Sequence, residues 1–500
     1  MYICQNRKFS GVDSIPNLIQ MTKFISMSVL LAGILLFTSG RPIKTYDELY
    51  RPQFHFSPEK NWMNDPDGLV FYDGEYHLFY QYNPNGNEWG YMHWGHAVST
   101  DLVHWKNLPI AIYPDNNSTD KVNCTAWSGS AIVDKNNVTG LQEGNYKTLL
   151  AFYTSRGCGQ RMAYSNDKGR TWKKYAGNPI IPEASGEETR DPKVFWYEPG
   201  KNWVMVLYRM PDADKSKEGI SIYNSTDLVH WTFESHITGY YECPDLFALP
   251  LDGDSTKMKW ALLGGDGSYL VGAFDGKQFT PETGKRVLDY GQNFYATQTW
   301  SNAPNGKRIQ IAWMRESKYP GMPFTGQMSF PTELSLKSTP NGPRIFRTPV
   351  EEISSLYGKK MEKTEKNIIP GLKNNNLLSG MHSEAFRITA VLDVKTSNTF
   401  GITVRKSRKD AGTEISYNVK NHILTCINSQ MPLVPVNNKI KLDILVDRAS
   451  IEIFANNGER VITDNFTPAE KADEMELWTR GGEIMVDSLS VHEIKSIWKE

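Results

Sequence analysis

Short apolar runs and period-two alternation, bounded by Gly, Asn and Asp, recur along this chain, and helical periodicity of useful length is absent. Five times a β-branched or aromatic segment meets a polar turn and returns. The pairs are 69–72 with 75–82 around Asp73-Gly74, 130–133 with 148–153, 194–197 with 203–208, 246–249 with 259–263, and 295–300 with 308–314. Segments leading into these hairpins sit near 65, 127, 191, 243 and 294, a repeat of roughly 50–65 residues. Five such units of four short strands predict a five-bladed β-propeller over 41–350. TDLVHW stands at 100–105 and again at 226–231, with the related SNDKGRTW at 165–172. Each places a polar turn ahead of a Trp that can pack back under a sheet.

The texture changes after residue 350. Segment 351–366 (EEISSLYGKKMEKTEK) is charged and helix-compatible, and reads as a linker. From 367 to 500 the alternation resumes in short strands, which predicts a C-terminal β-sandwich with no evident acid/base pair of its own. The fold class expected is all-β: a five-bladed β-propeller followed by a sandwich. Ahead of both, Lys8 and Lys23 precede the apolar run 24–37 (FISMSVLLAGILLF) and the small residues Thr38, Ser39 and Gly40. That pattern predicts a signal peptide over 1–40, cleaved near Gly40, with Met21 as an alternative start and an uncleaved anchor as the competing reading. A secreted or periplasmic protein follows, with no stable membrane insertion once the signal is removed.

Composition narrows the function. Formal net charge is −1 and no basic stripe occurs, which argues against a nucleic-acid partner. Aromatic residues make up 12% of the chain, more than one sugar site needs, so most must fill β cores. Of five cysteines, Cys4 falls in the leader; the remaining four form no framework, and a Cys124–Cys158 bridge stays open. No His/Cys/Asp cluster has metal-ligand spacing and no Gly-rich phosphate loop is present, so neither metal nor cofactor is expected. Oligomeric state is not legible.

Three acids occupy equivalent places in the repeat: Asp65 in WMNDPDG, Asp191 in TRDPK and Glu242 in YECPDL. A proline follows each at once or after one residue, which predicts extended backbone at defined strand entrances. Asp-Pro pairs commonly just start turns; three in one repeat position predict convergence on the propeller axis. Converging carboxylates suit glycoside hydrolysis, where a protonated acid serves the leaving oxygen and an ionised one attacks or activates water. Their mutual repulsion helps to split the two pKa values. Arg190, a fixed cation beside Asp191, is expected to keep that acid ionised.

At these residues the sequence resembles glycoside hydrolase family 32, the invertases, inulinases and levanases. The matching blocks are WMNDPDG (62–68), QYNP (81–84), HWGHAVSTDLVHW (93–105), WSGSA (127–131), RDPK (190–193) and ECPDLF (242–247). They run in order, and DRASIEIFANNGE (447–459) is similar to the family's sandwich domain. Asp67 departs from the pattern, which usually has Asn there. The resemblance implies a retaining β-fructofuranosidase. Asp65 would be the nucleophile, Glu242 the general acid/base, and Asp191 the holder of sugar hydroxyls. Asn64, Gln81, Trp89, Trp127, Ser128 and Arg190 would line the fructose subsite, with Trp62 and Trp313 as aromatic walls. Fructan or sucrose is the expected substrate and exo action the favoured mode, with endo-levanase or endo-inulinase action as the alternative. More remote readings are a sialidase, an inverting five-bladed hydrolase, and a non-catalytic fructan binder.

Overall fold

The computed structural model describes residues 46–115, 120–372 and 375–498; the leader expected at 1–40 lies outside the described residues. Each expected hairpin forms and continues into a four-stranded antiparallel sheet. The first holds Asn61–Tyr72, Glu75–Asn83, His93–Ser99 and Lys106–Ile112. Inner hairpins of the next three are Gly129–Asp134 with Thr148–Ser155, Glu188–Tyr197 with Asn202–Met210, and Asp245–Leu251 with Asp254–Leu263. Phe294–Thr299 and Ile309–Met314 open the fifth, which Thr332–Lys337 and Arg344–Pro349 complete. Phe324–Thr325 then pairs parallel with Asn61 and Trp62 of the first sheet, closing a five-bladed β-propeller.

Blade packing explains why many of these strands read as continuous apolar runs. Thr148–Ser155 is buried at every position, because both faces of a middle strand are covered by neighbouring blades. Ile132, Phe152, Val194 and Met205 interlock the second and third blades, and Val206, Ile220, Leu246 and Leu262 the third and fourth. The repeated turns do as the sequence suggests. Asp101 accepts the backbone N–H groups of Val103 and His104 at 3.1 and 2.8 Å, while Trp105 Nε1 returns a bond to Leu102 O at 3.1 Å. Asp227, Val229, His230 and Trp231 reproduce that turn in the third blade.

The C-terminal part is a two-sheet sandwich, one sheet of six strands and one of five, around a core that includes Phe386, Ile402, Leu442 and Ile453. Its first strand corrects the linker reading. Glu351–Leu356 is a short 3-10 turn, and Tyr357–Ile368 is an edge strand paired along Ile484–Ile494. Lysines and glutamates on that strand stay largely exposed, which suits an edge that must not pair with another chain.

Propeller and sandwich share one apolar cluster, in which Phe54 and Trp300 meet Phe454 and Ile494. Beside it, His55 is fully buried between two sandwich carboxylates, with Nδ1 at 2.8 Å from Asp447 and Nε2 at 2.8 Å from Glu452. Burial opposes charge on the imidazole, but the two carboxylate hydrogen bonds outweigh it and raise its pKa to about 9. Because the folded value exceeds the ordinary one, this stabilisation is complete below about pH 6.5 and is lost as pH rises through about 9. A rise of that size corresponds to about 3 kcal/mol. His55→Leu strands two buried charges and is expected to cost about 3–5 kcal/mol at pH 6. Urea unfolding of both proteins should show this gap at pH 6 and a much smaller one at pH 10.

Candidate active site

Asp65, Asp191 and Glu242 meet at one end of the propeller axis, but not all at strand entrances. Asp65 lies within the innermost strand of the first blade, at a bulge where pairing with the second strand skips from Met63 to Pro66. Asp191 occupies a similar bulge in Glu188–Tyr197, and Glu242 lies in the turn ahead of Asp245–Leu251. Prolines are tolerated here because an innermost strand has an unpaired edge toward the axis. The expected extended backbone fails at Asp191, whose φ is 63° although Pro192 follows it; Glu242 and Cys243 have φ of 28° and 46°. Such left-handed conformations cost about 1–3 kcal/mol each. Hydrogen bonds hold them: Asp191 N donates to Thr154 Oγ1 at 2.9 Å, and Cys243 N donates to Asp191 Oδ2 at 3.0 Å.

The acids line a pocket of about 300 Å³. Asn64 and Ser128 donate to the two oxygens of Asp65 at 3.0 and 2.8 Å. Gln81 also lines the pocket and donates to Asp67 Oδ2 at 2.7 Å, while Gly129 N donates to Asp67 Oδ1 at 3.1 Å. Trp89 and Trp127 form one wall, ring centroids 5.6 Å apart at 81°, and Trp313 stands on another beside Tyr295 at 6.3 Å. Trp62 is the expected wall residue that does not line the pocket. Its Nε1 donates to Asn64 Oδ1 at 2.7 Å and its ring meets Trp313 edge-on at 6.1 Å, so it contacts two lining residues.

Four lining residues are carboxylic acids and one is a cation. That imbalance governs protonation. Burial raises Asp65, and the charge of Glu242 raises it further. Asp67, fully buried, is pushed well above the carboxylate range by burial and by Asp65. Asp191 departs from the expectation that Arg190 keeps it ionised. Burial together with Glu242 and Asp65 outweighs the guanidinium and pushes its pKa up. Arg190 Nε lies 3.0 Å from Glu242 Oε2 and 3.7 Å from Asp191 Oδ2, so the one cation serves both acids while burial dominates at Asp191. Arg190 also pairs with Glu188 and stacks 4.1 Å from the Tyr208 ring centre. Between the acids, the Cys243 thiol is held protonated by burial, 3.5 Å from Asp65 Oδ2 and 3.6 Å from Asp191 Oδ2.

Both parts of the chain match family models: the N-terminal domain of glycosyl hydrolases family 32 over residues 55–349, and the family's C-terminal domain over 352–493. The chain belongs to glycosyl hydrolase family 32. A levanase of Bacillus subtilis is 42% identical over 96% of this chain and 75% of its own length. An extracellular exo-inulinase of Aspergillus niger is 33% identical over 91% of this chain and 96% of its own. Among solved structures, the exo-inulinase of Aspergillus awamori superposes with a TM-score of 0.81 at 31% identity, covering 91% of this chain and all of that one.

Within this family 32 pocket the structure gathers Asn64, Asp65, Gln81, Trp89, Trp127 and Ser128, and also Arg190, Asp191, Glu242 and Trp313. Sequence reasoning missed Glu188, Tyr241 and Tyr295. Tyr295 carried a signal, since it opens the fifth hairpin in the same repeat slot as the acids; its hydroxyl donates to Glu242 Oε1 at 2.5 Å. Tyr241 and Glu188 were marked only by closeness in sequence to Glu242 and Asp191.

Crowded acids carry a stability cost whose sign can be tested. Asp191 binds its proton more tightly folded than unfolded, so its contribution is present below about pH 4 and is lost as pH rises through about 7. Asp191→Asn removes that loss, and should melt higher than the parent at pH 8 and no higher at pH 4. Calorimetric melts at both values check this.

Proposed function

We propose that this family 32 glycosidase releases fructose from the non-reducing ends of β-fructofuranosyl substrates, fructans and sucrose, with net retention. Asp65, Asp191 and Glu242 opening into one pocket is the observation that carries the reading. Asp65 attacks C2 of the fructosyl unit while Glu242 gives its proton to the departing glycosidic oxygen, leaving an ester between C2 and Asp65. Water then attacks C2 and passes its proton to Glu242, the ester bond breaks, and fructose leaves with Asp65 restored. Asp191 grips ring hydroxyls and stabilises the cation-like transition state, and Asn64 and Ser128 aim Asp65 through its two oxygens.

The floor of the pocket favours exo action. Below the acids Lys193 Nζ donates to Thr299 O at 2.6 Å, Thr299 N and Oγ1 donate to Asp245 Oδ2 at 2.8 Å, and Ser130 Oγ donates to Pro192 O at 2.7 Å. This layer stops a polymer from threading the axis, so a chain end is what fits. The levanase, exo-inulinase and invertase names of the relatives support a fructan or sucrose substrate. Export is part of the proposal. Cys124 and Cys158 form a disulfide, as suits an oxidising compartment, and the Aspergillus relative is named extracellular. No helix among the described residues is long and apolar enough to cross a membrane.

Product analysis tests the reading. Levan, inulin and sucrose should each be assayed with the parent and with Glu242→Ala, which should lose roughly 10²–10⁴ in kcat. Fructose as the sole early product of the polymers, with its first-formed anomer retained by NMR, is the expected result. A ladder of oligomers would replace exo with endo action, and unchanged turnover by Glu242→Ala would remove the assigned acid.

A further inference from the structure

A second cavity, of about 480 Å³, opens at the far end of the propeller axis. The strands that carry the acid pocket at their beginnings line this cavity at or toward their ends: Ile132 and Val133, Phe195 and Trp196, Phe247 and Ala248. The Lys193–Thr299–Asp245 layer separates the two and forms the inner wall of the second. The walls are mainly apolar and carry several aromatic rings, with Trp196 and Trp203 edge-to-face at 5.2 Å, and Trp260 beside Phe195 at 5.6 Å. That size and that apolar lining fall in the range of small-molecule sites.

Its inner charges do not balance. Lys193 and Asp245, both nearly fully buried, answer each other at 3.4 Å. Arg308 has no carboxylate within ion-pair distance among the described residues; its one hydrogen bond is a long one, 3.4 Å from Nη1 to Thr299 Oγ1. Its guanidinium otherwise lies over the Phe247 ring, 5.0 Å from the centroid. Burial pulls the Arg308 pKa down, whereas the paired Arg190 of the acid pocket is raised. Trp203 Nε1, in the same wall, is a buried donor with no acceptor. A planar fork of N–H donors beside aromatic faces matches a carboxylate on an apolar ring.

We propose that this cavity is a second ligand site, for a small monocarboxylate with an aromatic or cyclic apolar body, its carboxylate on Arg308 and its ring against the aromatic part of the lining. Lys135, Lys193 and Arg308 against Glu198 and Asp245 leave the lining at +1, and one negative charge completes the count. A neutral sugar would satisfy the aromatic walls but leave the guanidinium unpaired. The site is separate from the acid pocket, so a ligand here and fructose there do not exclude each other.

Phenylacetate and its uncharged isostere phenylacetamide are suitable probes, titrated calorimetrically into the full chain with tryptophan fluorescence as a second readout. One saturable phenylacetate site is expected, with the amide at least about tenfold weaker. Affinity should be unchanged in saturating fructose and reduced at least about tenfold by Arg308→Gln, with Arg308→Lys retaining part of it. The comparison of the two probes needs only the parent protein, so it stands even if the Arg308 variants fold poorly. Absence of saturable binding, equal affinity for acid and amide, displacement by fructose, or full affinity in Arg308→Gln would each overturn the assignment.

Discussion

Ring closure is the constraint on which this molecule depends. Five antiparallel sheets set around an axis leave the first strand of each blade with one unpaired edge, and those edges all face inward. Only there can the chain place prolines, bulges and left-handed residues without breaking a ladder, and only there do side chains from distant segments meet. Asp65, Asp191 and Glu242 use that freedom, each at a point where regular pairing lapses. Phe324–Thr325 seals the ring at the start of the first blade's innermost strand, on Asn61 and Trp62, and leaves its edge unpaired at Asp65.

The same convergence creates the electrostatic problem that the pocket turns to use. Acids brought this close with a single guanidinium cannot all be ionised together, so protons stay in the cluster when exposed carboxylates would have lost theirs. A glycosidase of the proposed kind needs that condition, one carboxyl ready to give a proton beside another ready to attack. Arg190 and Tyr295 both reach Glu242, while Asn64, Ser128 and Cys243 reach Asp65. The two acids thus keep different hydrogen-bond partners.

Much of this was legible in the chain because a repeat exposes position as well as composition. Hairpins at regular spacing announced the blades, and a shared slot announced the acids. What escaped was whatever broke the period-two signal. WMND and ETRD are polar and irregular, so the innermost strands begin earlier than their apolar parts suggest. KKMEKTEK looks helical by charge, yet its role at a sheet edge asks for that same charge. Tyr295 sat in the right slot with the wrong chemistry for a search confined to carboxylates. Arg190 was correctly placed, but the burial that outweighs it at Asp191 depends on packing that no spacing encodes.

The buried imidazole at the domain boundary also bears on the order in which the chain can be completed. His55 and Glu452 are 397 residues apart, and the backbone N–H groups of Gln53 and Phe54 are capped by Asp447. The segment leading into the strand that bears Asp65 therefore lacks its final partners until the ribosome has made nearly the whole protein. Contacts of such sequence separation form late and slowly. The last strands of the chain therefore finish the work of its first.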